Sequence, residues 1–205
     1  MAWALSLGIL ALLAAPAWAA EGGPEAPLER VVFLGDSLTY WGGAFMGERA
    51  GVEVFNLGKP GDSTARIWSR LDQAVELRPT RIFLQGGIND LGRGDSAADV
   101  RDVHEKIWAE IKERLPGARL YVCSLIPIRE SFFSNKSPRF TNAYIKAVNG
   151  LLAKSAQEAK VAYVDLFTPL LGPDGQLPSQ LTYDGVHLRP MAYKIWAETL
   201  RPYLP

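Results

Sequence analysis

The sequence predicts one α/β domain, a parallel sheet with helices on both faces. Three observations predict it. Apolar strand-like runs alternate with helix-like stretches along the chain. The runs are apolar at successive residues rather than at alternate ones, as strands covered on both faces are. And 205 residues are enough for one sizeable core but too few for two comfortable ones.

Taken in order, the chain opens with an uncharged apolar run, ALSLGILALLAA at 4–15, too short to span a bilayer comfortably. Pro16 follows, then Ala17-Trp18-Ala19, a small-x-small pattern after which signal peptidases cut. Residues 1–19 therefore read as a signal peptide, and the protein as exported, periplasmic or secreted, with no stable membrane insertion once the signal is removed. One feature departs from that pattern: no Lys or Arg precedes the apolar run. Residues 20–29, AEGGPEAPLE, are rich in Gly, Pro and Glu and read as a flexible leader. The folded domain is expected over 30–205.

Within that domain the expected strands are Val31 to Leu34, Val52 to Asn56, Arg81 to Gln85, Arg119 to Leu125 and Val161 to Asp165. Between the third and fourth, Val100, Val103, Ile107, Ile111 and Leu115 recur three or four apart, which marks an amphipathic helix. His104 lies on that helix beside charged neighbours and is expected at the surface. A second helix is expected from about Pro138 to Lys160, with Tyr144, Ile145, Val148, Leu151 and Leu152 inward. The last begins near Pro190, a favoured first-turn residue, and is expected to turn Met191, Ile195, Trp196 and Leu200 inward. Trp68 and Trp108 also occupy helix positions and are expected in the core.

Composition narrows the function. Lys plus Arg equals Asp plus Glu, 22 of each, so no net field draws the chain to nucleic acid. Cys123 is the only cysteine, which leaves no internal disulfide, and it sits in the apolar run RLYVCSLIPI as an expected inert core residue. Two histidines without clustered ligand spacing give no zinc pattern, and neither metal nor cofactor is expected.

Ligands of open parallel sheets bind at the carboxyl ends of the strands, so those ends carry the chemistry. The first strand runs directly into Gly35-Asp36-Ser37-Leu38. A Gly-Asp-Ser triplet also occurs at 61–63 and 94–96, but only the first follows an apolar strand immediately. A serine hydroxyl needs a base to become a nucleophile. That base is available in Tyr183-Asp184-Gly185-Val186-His187, where the Asp184 carboxylate can reach back to orient the imidazole. The loops after the second and third strands hold Gly61 and Asn89. Both open on the same edge as Ser37 and can aim donors at the oxyanion of an acyl-transfer intermediate. Such donors contribute roughly 3 to 4 kcal/mol each. Asp165, at the end of the fifth strand, is the rival acid. It would give the order Ser, Asp, His of α/β-hydrolases, whose G-x-S-x-G motif is absent here. Asp36, Asp62 and Asp90 are expected to brace their turns.

Together these residues resemble the GDSL, or SGNH, hydrolase family. Ser37 in GDSL, Gly61 in NLGKPGDST, Asn89 in GIND, and Asp184 and His187 in DGVH match its four blocks in family order, over a resemblance running from about Val31 to Leu204. The resemblance implies a three-layer α/β/α sandwich built on a flavodoxin-like five-stranded parallel sheet. It also implies an oxyanion hole from the Ser37 N–H, the Gly61 N–H and the Asn89 amide, and a serine esterase acting through an acyl-enzyme.

The segments SLIPI and YDGVHLRPMAYKIWAETLRPYL are similar to those of bacterial acetylesterase-like members resembling platelet-activating-factor acetylhydrolase. That similarity implies a short acyl group, such as O-acetyl on a small molecule or glycan. Trp41, four residues past Ser37, is expected to line the pocket. Arg129, Phe132 and Phe133, in the loop after the fourth strand, are expected to overhang it or tuck beneath that loop. The competing readings are a lysophospholipase or thioesterase for longer acyl chains, and a non-catalytic binding module. A binding module would usually have lost a triad or oxyanion residue, and none is missing.

Overall fold

The structure, a computed structural model, describes residues 28–43, 51–134 and 137–205. The expected signal peptide, 1–19, and most of the expected leader, 20–29, lie outside the described residues.

The strands are β1 (Glu29–Gly35), β2 (Val52–Gly58), β3 (Arg81–Gln85), β4 (Arg119–Cys123) and β5 (Ala162–Val164). They form one five-stranded sheet in the order β2-β1-β3-β4-β5, with every pairing parallel. Each expected strand is present, with ends that coincide or shift by at most two residues. Val31, Val32, Phe33 and Leu34 are all buried, which is why β1 is apolar at every position. The rings of Phe33, Phe83 and Tyr121 stack across β1, β3 and β4 at 5.0 and 4.7 Å between centroids.

The helices are α1 (Ser37–Gly42), α2 (Thr64–Ser69), α3 (Asp72–Glu76), α4 (Ile88–Arg93), α5 (Ala97–Arg114), α6 (Asn142–Glu158), α7 (Phe167–Leu170) and α8 (Pro190–Leu200). α5 packs between α2 and α6, while α8 packs on α7 and is tied to α1 by Tyr193, whose hydroxyl donates to the Leu38 carbonyl at 3.0 Å. The result is a three-layer α/β/α sandwich with flavodoxin-like strand order. Successive strands are added on opposite sides of β1, so a crevice opens where β1 and β3 end. Register places Gly35 beside both Gly58 and Gln85, so the segments that follow all leave at one edge.

Four expectations need correction. α6 begins at Asn142, not near Pro138, because the Thr141 side chain caps it by accepting the Tyr144 N–H. His104 is fully buried, with its ring Nε2 3.1 Å from the Gly86 carbonyl oxygen. Burial drives its pKa down to about 4, despite the hydrogen bond to Gly86, and keeps the ring neutral. Trp68 is exposed and donates its indole N–H to Glu110 at 2.8 Å. Met191 is exposed too, because the inward stripe of α8 runs through Ala192, Tyr193, Trp196 and Leu200, one residue out of step with it. Cys123 is buried, and burial pushes its thiol well above the ordinary range. Among the described residues no helix is long and apolar enough to cross a membrane.

Candidate active site

The site begins with a glycine that nothing larger can replace. A Cβ at Gly35 would lie 2.1 Å from Thr39 Oγ1 and 2.4 Å from the Gln85 carbonyl oxygen. β1 can therefore turn straight into α1 against β3. Asp36 caps the helix, its Oδ1 accepting the Leu38 N–H at 2.9 Å. Ser37 is thus one residue inside α1, with a hydroxyl not needed for capping and an N–H with no partner within the helix.

The other two Gly-Asp-Ser triplets show the difference. Ser63 is itself the cap of α2, accepting from the Arg66 N–H, and Ser96 caps α5 in a capping box with Asp99. Their hydroxyls are committed to backbone. In the first triplet the aspartate takes that role and the serine is released.

Across the crevice, His187 Nε2 stands 3.1 Å from Ser37 Oγ, and His187 Nδ1 stands 2.6 Å from Asp184 Oδ2. The carboxylate accepts, so Nδ1 carries the hydrogen and the Nε2 lone pair faces the serine. Asp184 Oδ1 also accepts the N–H groups of Val186 and His187, at 3.0 and 2.8 Å. Partial burial acts to raise the Asp184 carboxyl, but the hydrogen bonds from His187 and these backbone N–H groups outweigh it and hold it below the ordinary value. The turn is held in turn by Thr182, which pairs with Leu188 in an isolated antiparallel bridge and donates its hydroxyl to the His187 carbonyl at 2.8 Å. Asp165 is not brought here. Its Oδ1 accepts the N–H groups of Phe167 and Thr168 at the start of α7.

Gly61 sits at the third position of a Lys59–Asp62 turn, after Pro60, with a φ of +79° that glycine adopts without strain. Among the described residues its N–H meets no acceptor. Asn89, on the first turn of α4, donates one amide hydrogen to the Asp62 carbonyl at 2.9 Å and keeps a second. Behind the turn, Arg70 binds Asp62 Oδ2 at 2.6 Å and the carbonyls of Leu57 and Gly35 at 2.7 Å each. Asp90 accepts from both the N–H and the hydroxyl of Thr64. Asp36, Asp62 and Asp90 all brace backbone or neighbouring side chains. Asp36 is fully buried, its Oδ2 has no partner among the described residues, and burial, opposed by the Leu38 N–H and reinforced by Asp90, raises its pKa to about 7.

Two hollows flank His187. One, of about 560 Å³, is lined by Trp41, Tyr183, Leu188, Pro190 and Tyr193. The other, of about 400 Å³, holds Ser37 and Asn89 and is walled by Phe133, Phe140, Val186 and Arg93. Trp41 and Phe133 thus stand where a substrate contact would be. Arg129 and Phe132 line neither hollow: the Arg129 guanidinium binds the Leu177 carbonyl and Asp174 and lies over the exposed Phe132 ring. Sequence reasoning missed Tyr183, Tyr193, Phe140 and Arg93. Tyr183 adjoins Asp184, and Arg93 lies four residues past Asn89 on one helix face, so both carried a signal. Among the described residues no three His, Cys, Asp or Glu side chains cluster as a metal site needs.

Sequence comparison matches the profile of the GDSL-like lipase/acylhydrolase family over residues 33–195. The chain belongs to that family.

Membership places the chain among GDSL-like lipases and acylhydrolases. Its fold is similar to that of a Streptococcus pneumonia protein named for platelet activating factor, with a TM-score of 0.75, 22% identity, and coverage of 89% of this chain and 86% of that one. It is also similar to an acetyl xylan esterase, with a TM-score of 0.72, 18% identity, and coverage of 86% of this chain and 100% of the other. At these identities the likeness is one of fold. A curated relative, the N-acylneuraminate cytidylyltransferase of Streptococcus agalactiae serotype V, is 25% identical over 157 residues, which make up 76% of this chain. The match spans only 34% of that relative's length.

Proposed function

We propose that this GDSL-like acylhydrolase is a serine esterase for short acyl groups, O-acetyl on a sugar or small molecule, acting outside the cytoplasm. The observation that carries the reading is the continuous chain from Ser37 Oγ to His187 Nε2 at 3.1 Å and from His187 Nδ1 to Asp184 Oδ2 at 2.6 Å. Ser37 Oγ attacks the ester carbonyl while its proton passes to His187 Nε2. The oxyanion forms against the N–H groups of Ser37 and Gly61 and the second Asn89 amide hydrogen. As the tetrahedral intermediate collapses, the carbon–oxygen bond to the alcohol breaks and His187 returns the proton to the leaving oxygen. Water then releases the acyl group by the same route, and Asp184 stabilises the imidazolium in both halves.

The sugar-side reading is supported by the hollow beside Trp41 and Tyr183, two aromatic rings 58% and 59% exposed at the rim, where a pyranose face could stack. The same hollow favours a second reading. Its floor of Leu188, Pro190 and Tyr193 is apolar enough for an acyl chain, as in a lysophospholipase or thioesterase.

Hydrolysis of p-nitrophenyl esters from acetate to palmitate, by the wild type and by Ser37→Ala, tests both readings. Rates that peak at acetate and vanish in the variant are expected. Rates that rise with chain length would select the second reading, and activity retained in the variant would remove the Ser37 mechanism.

A further inference from the structure

One cation, Arg93, lines the hollow around Ser37 and among the described residues meets its carboxylates only at long range. Arg93 is the last residue of α4, four residues after Asn89, so the two side chains lie on one helix face. Its nearest carboxylate oxygens, Asp90 Oδ2 and Asp95 Oδ2, are each 3.8 Å away. Among the described residues its guanidinium donates no hydrogen bond. Asp90 is already engaged by the Thr64 N–H and hydroxyl. Arg70, which braces the turn behind the same site, makes three close bonds and is nearly enclosed. Its role is structural, and that of Arg93 is not explained in the same way.

The surroundings of Arg93 sharpen the point. The hollow it borders is otherwise walled by Ile88, Phe133, Phe140 and Val186, and its acidic member, Asp184, is bound to His187. A planar guanidinium beside apolar walls, half exposed and with no hydrogen bond to the described residues, matches a carboxylate bidentately. Four residues of helix advance about 6 Å along the axis, so such a carboxylate would lie about one helical turn from the oxyanion donor Asn89. That spacing corresponds to a few bonds between the ester carbonyl and the charge.

We infer that Arg93 forms an anion subsite, and that the substrate is an ester carrying a carboxylate a few bonds from its carbonyl. The inference rests on reading the Ser37 hollow as an ester site, and it narrows the substrate class within that reading. The negative group can belong to either half of the ester: an acidic alcohol, such as an acidic sugar, or the free end of a dicarboxylic acyl group.

Two matched pairs of esters distinguish these sources. 4-Acetoxybenzoate against 4-acetoxybenzamide places the charge in the alcohol. Mono-p-nitrophenyl glutarate against p-nitrophenyl butyrate places it in the acyl group. For each pair the readout is the ratio of kcat/KM, anionic over neutral, in the wild type, Arg93→Gln and Arg93→Lys. In one pair that ratio is expected to fall about tenfold or more in Arg93→Gln, mainly through KM, and to recover partly in Arg93→Lys. The pair that responds identifies the half that bears the charge. A ratio unchanged in both pairs overturns the inference, whether the two rates hold or fall together. Ser37→Ala on the neutral esters is the separate control: activity surviving there would fail the esterase reading and not the anion subsite alone.

Discussion

The side-chain amide of Asn89 donates to the carbonyl oxygen of Asp62 at 2.9 Å, so the first turn of α4 holds the turn after β2. The two candidate oxyanion donors outside α1 are therefore not independent. One hydrogen of Asn89 fixes the turn that presents the Gly61 N–H, and the other has no partner among the described residues.

Replacing Asn89 by alanine removes a donor and a brace in one step. Its kcat for p-nitrophenyl acetate is expected to fall about 100- to 1000-fold, with a smaller change in KM. Steady-state kinetics check this, and a loss below tenfold would take Asn89 out of the oxyanion site.

Two aspartates compete for the role of acid, and geometry separates them. Asp184→Asn is expected to lower kcat about a thousandfold or more, because the amide no longer holds the Nδ1–H tautomer. Asp165→Asn should leave kcat within a factor of about two, since among the described residues the hydrogen bonds Asp165 accepts come from the start of α7. Equal losses in the two variants would contradict the arrangement at His187.

Arg70 and Asp62 form an ion pair with side-chain exposures of only 11% and 3%. Arg70→Met leaves a carboxylate buried without its cation and takes one donor from each of two carbonyls, of which Gly35 keeps the Lys59 N–H. A loss of about 3 to 5 kcal/mol in unfolding free energy is expected, read from urea denaturation.

Asp36 and His104 pull stability in opposite directions over one pH window. Asp36, raised to about 7 from 3.8, stays protonated in the fold while the unfolded chain ionises. Its contribution is complete below about 4 and is lost as pH rises through about 7. His104, lowered to about 4 from 6.5, stays neutral in the fold while the unfolded chain protonates. Its contribution is complete above about 6.5 and is lost as pH falls through about 4. Relative to wild type, Asp36→Asn should therefore gain stability as pH rises across that window. His104→Gln should gain as pH falls. Urea unfolding at several pH values checks both, and a pH-independent difference would contradict either assignment.

Much of this was legible in the sequence. The strands announce themselves because β1 and β3 are buried on both faces, so Val31 to Leu34 and Ile82 to Leu84 are apolar at every step. Ser37, Gly61, Asn89 and His187 each follow a strand closely or open the final helix segment, so order along the chain mirrors order along one sheet edge. His104 was misjudged from its charged sequence neighbours. Its spacing from Val100 and Ile107, four and three residues, already put it on the apolar stripe.

The pocket walls were less legible, because they depend on the path of a loop. Of the residues after β4, Phe133 walls the Ser37 hollow while Arg129 and Phe132 fold away from it. Arg129 N–H reaches the Gly185 carbonyl at 2.8 Å, and Leu177 N–H reaches the Ile128 carbonyl at 3.1 Å. That path brings the Phe133 ring against Gly185 and turns Arg129 towards Asp174. No local pattern encodes such a contact between segments about fifty residues apart.

His187 and its carboxylate partner are three residues apart, whereas the hydroxyl it serves lies 150 residues away in the chain. The short turn therefore travels as a rigid carriage: when it shifts, imidazole and Asp184 move together and their mutual alignment survives. Such a shift would lengthen the contact between His187 and Ser37. Warming should thus silence activity while the sheet, the buried Trp108 and Trp196 and the His187–Asp184 hydrogen bond are all still in place, and cooling should restore activity without refolding.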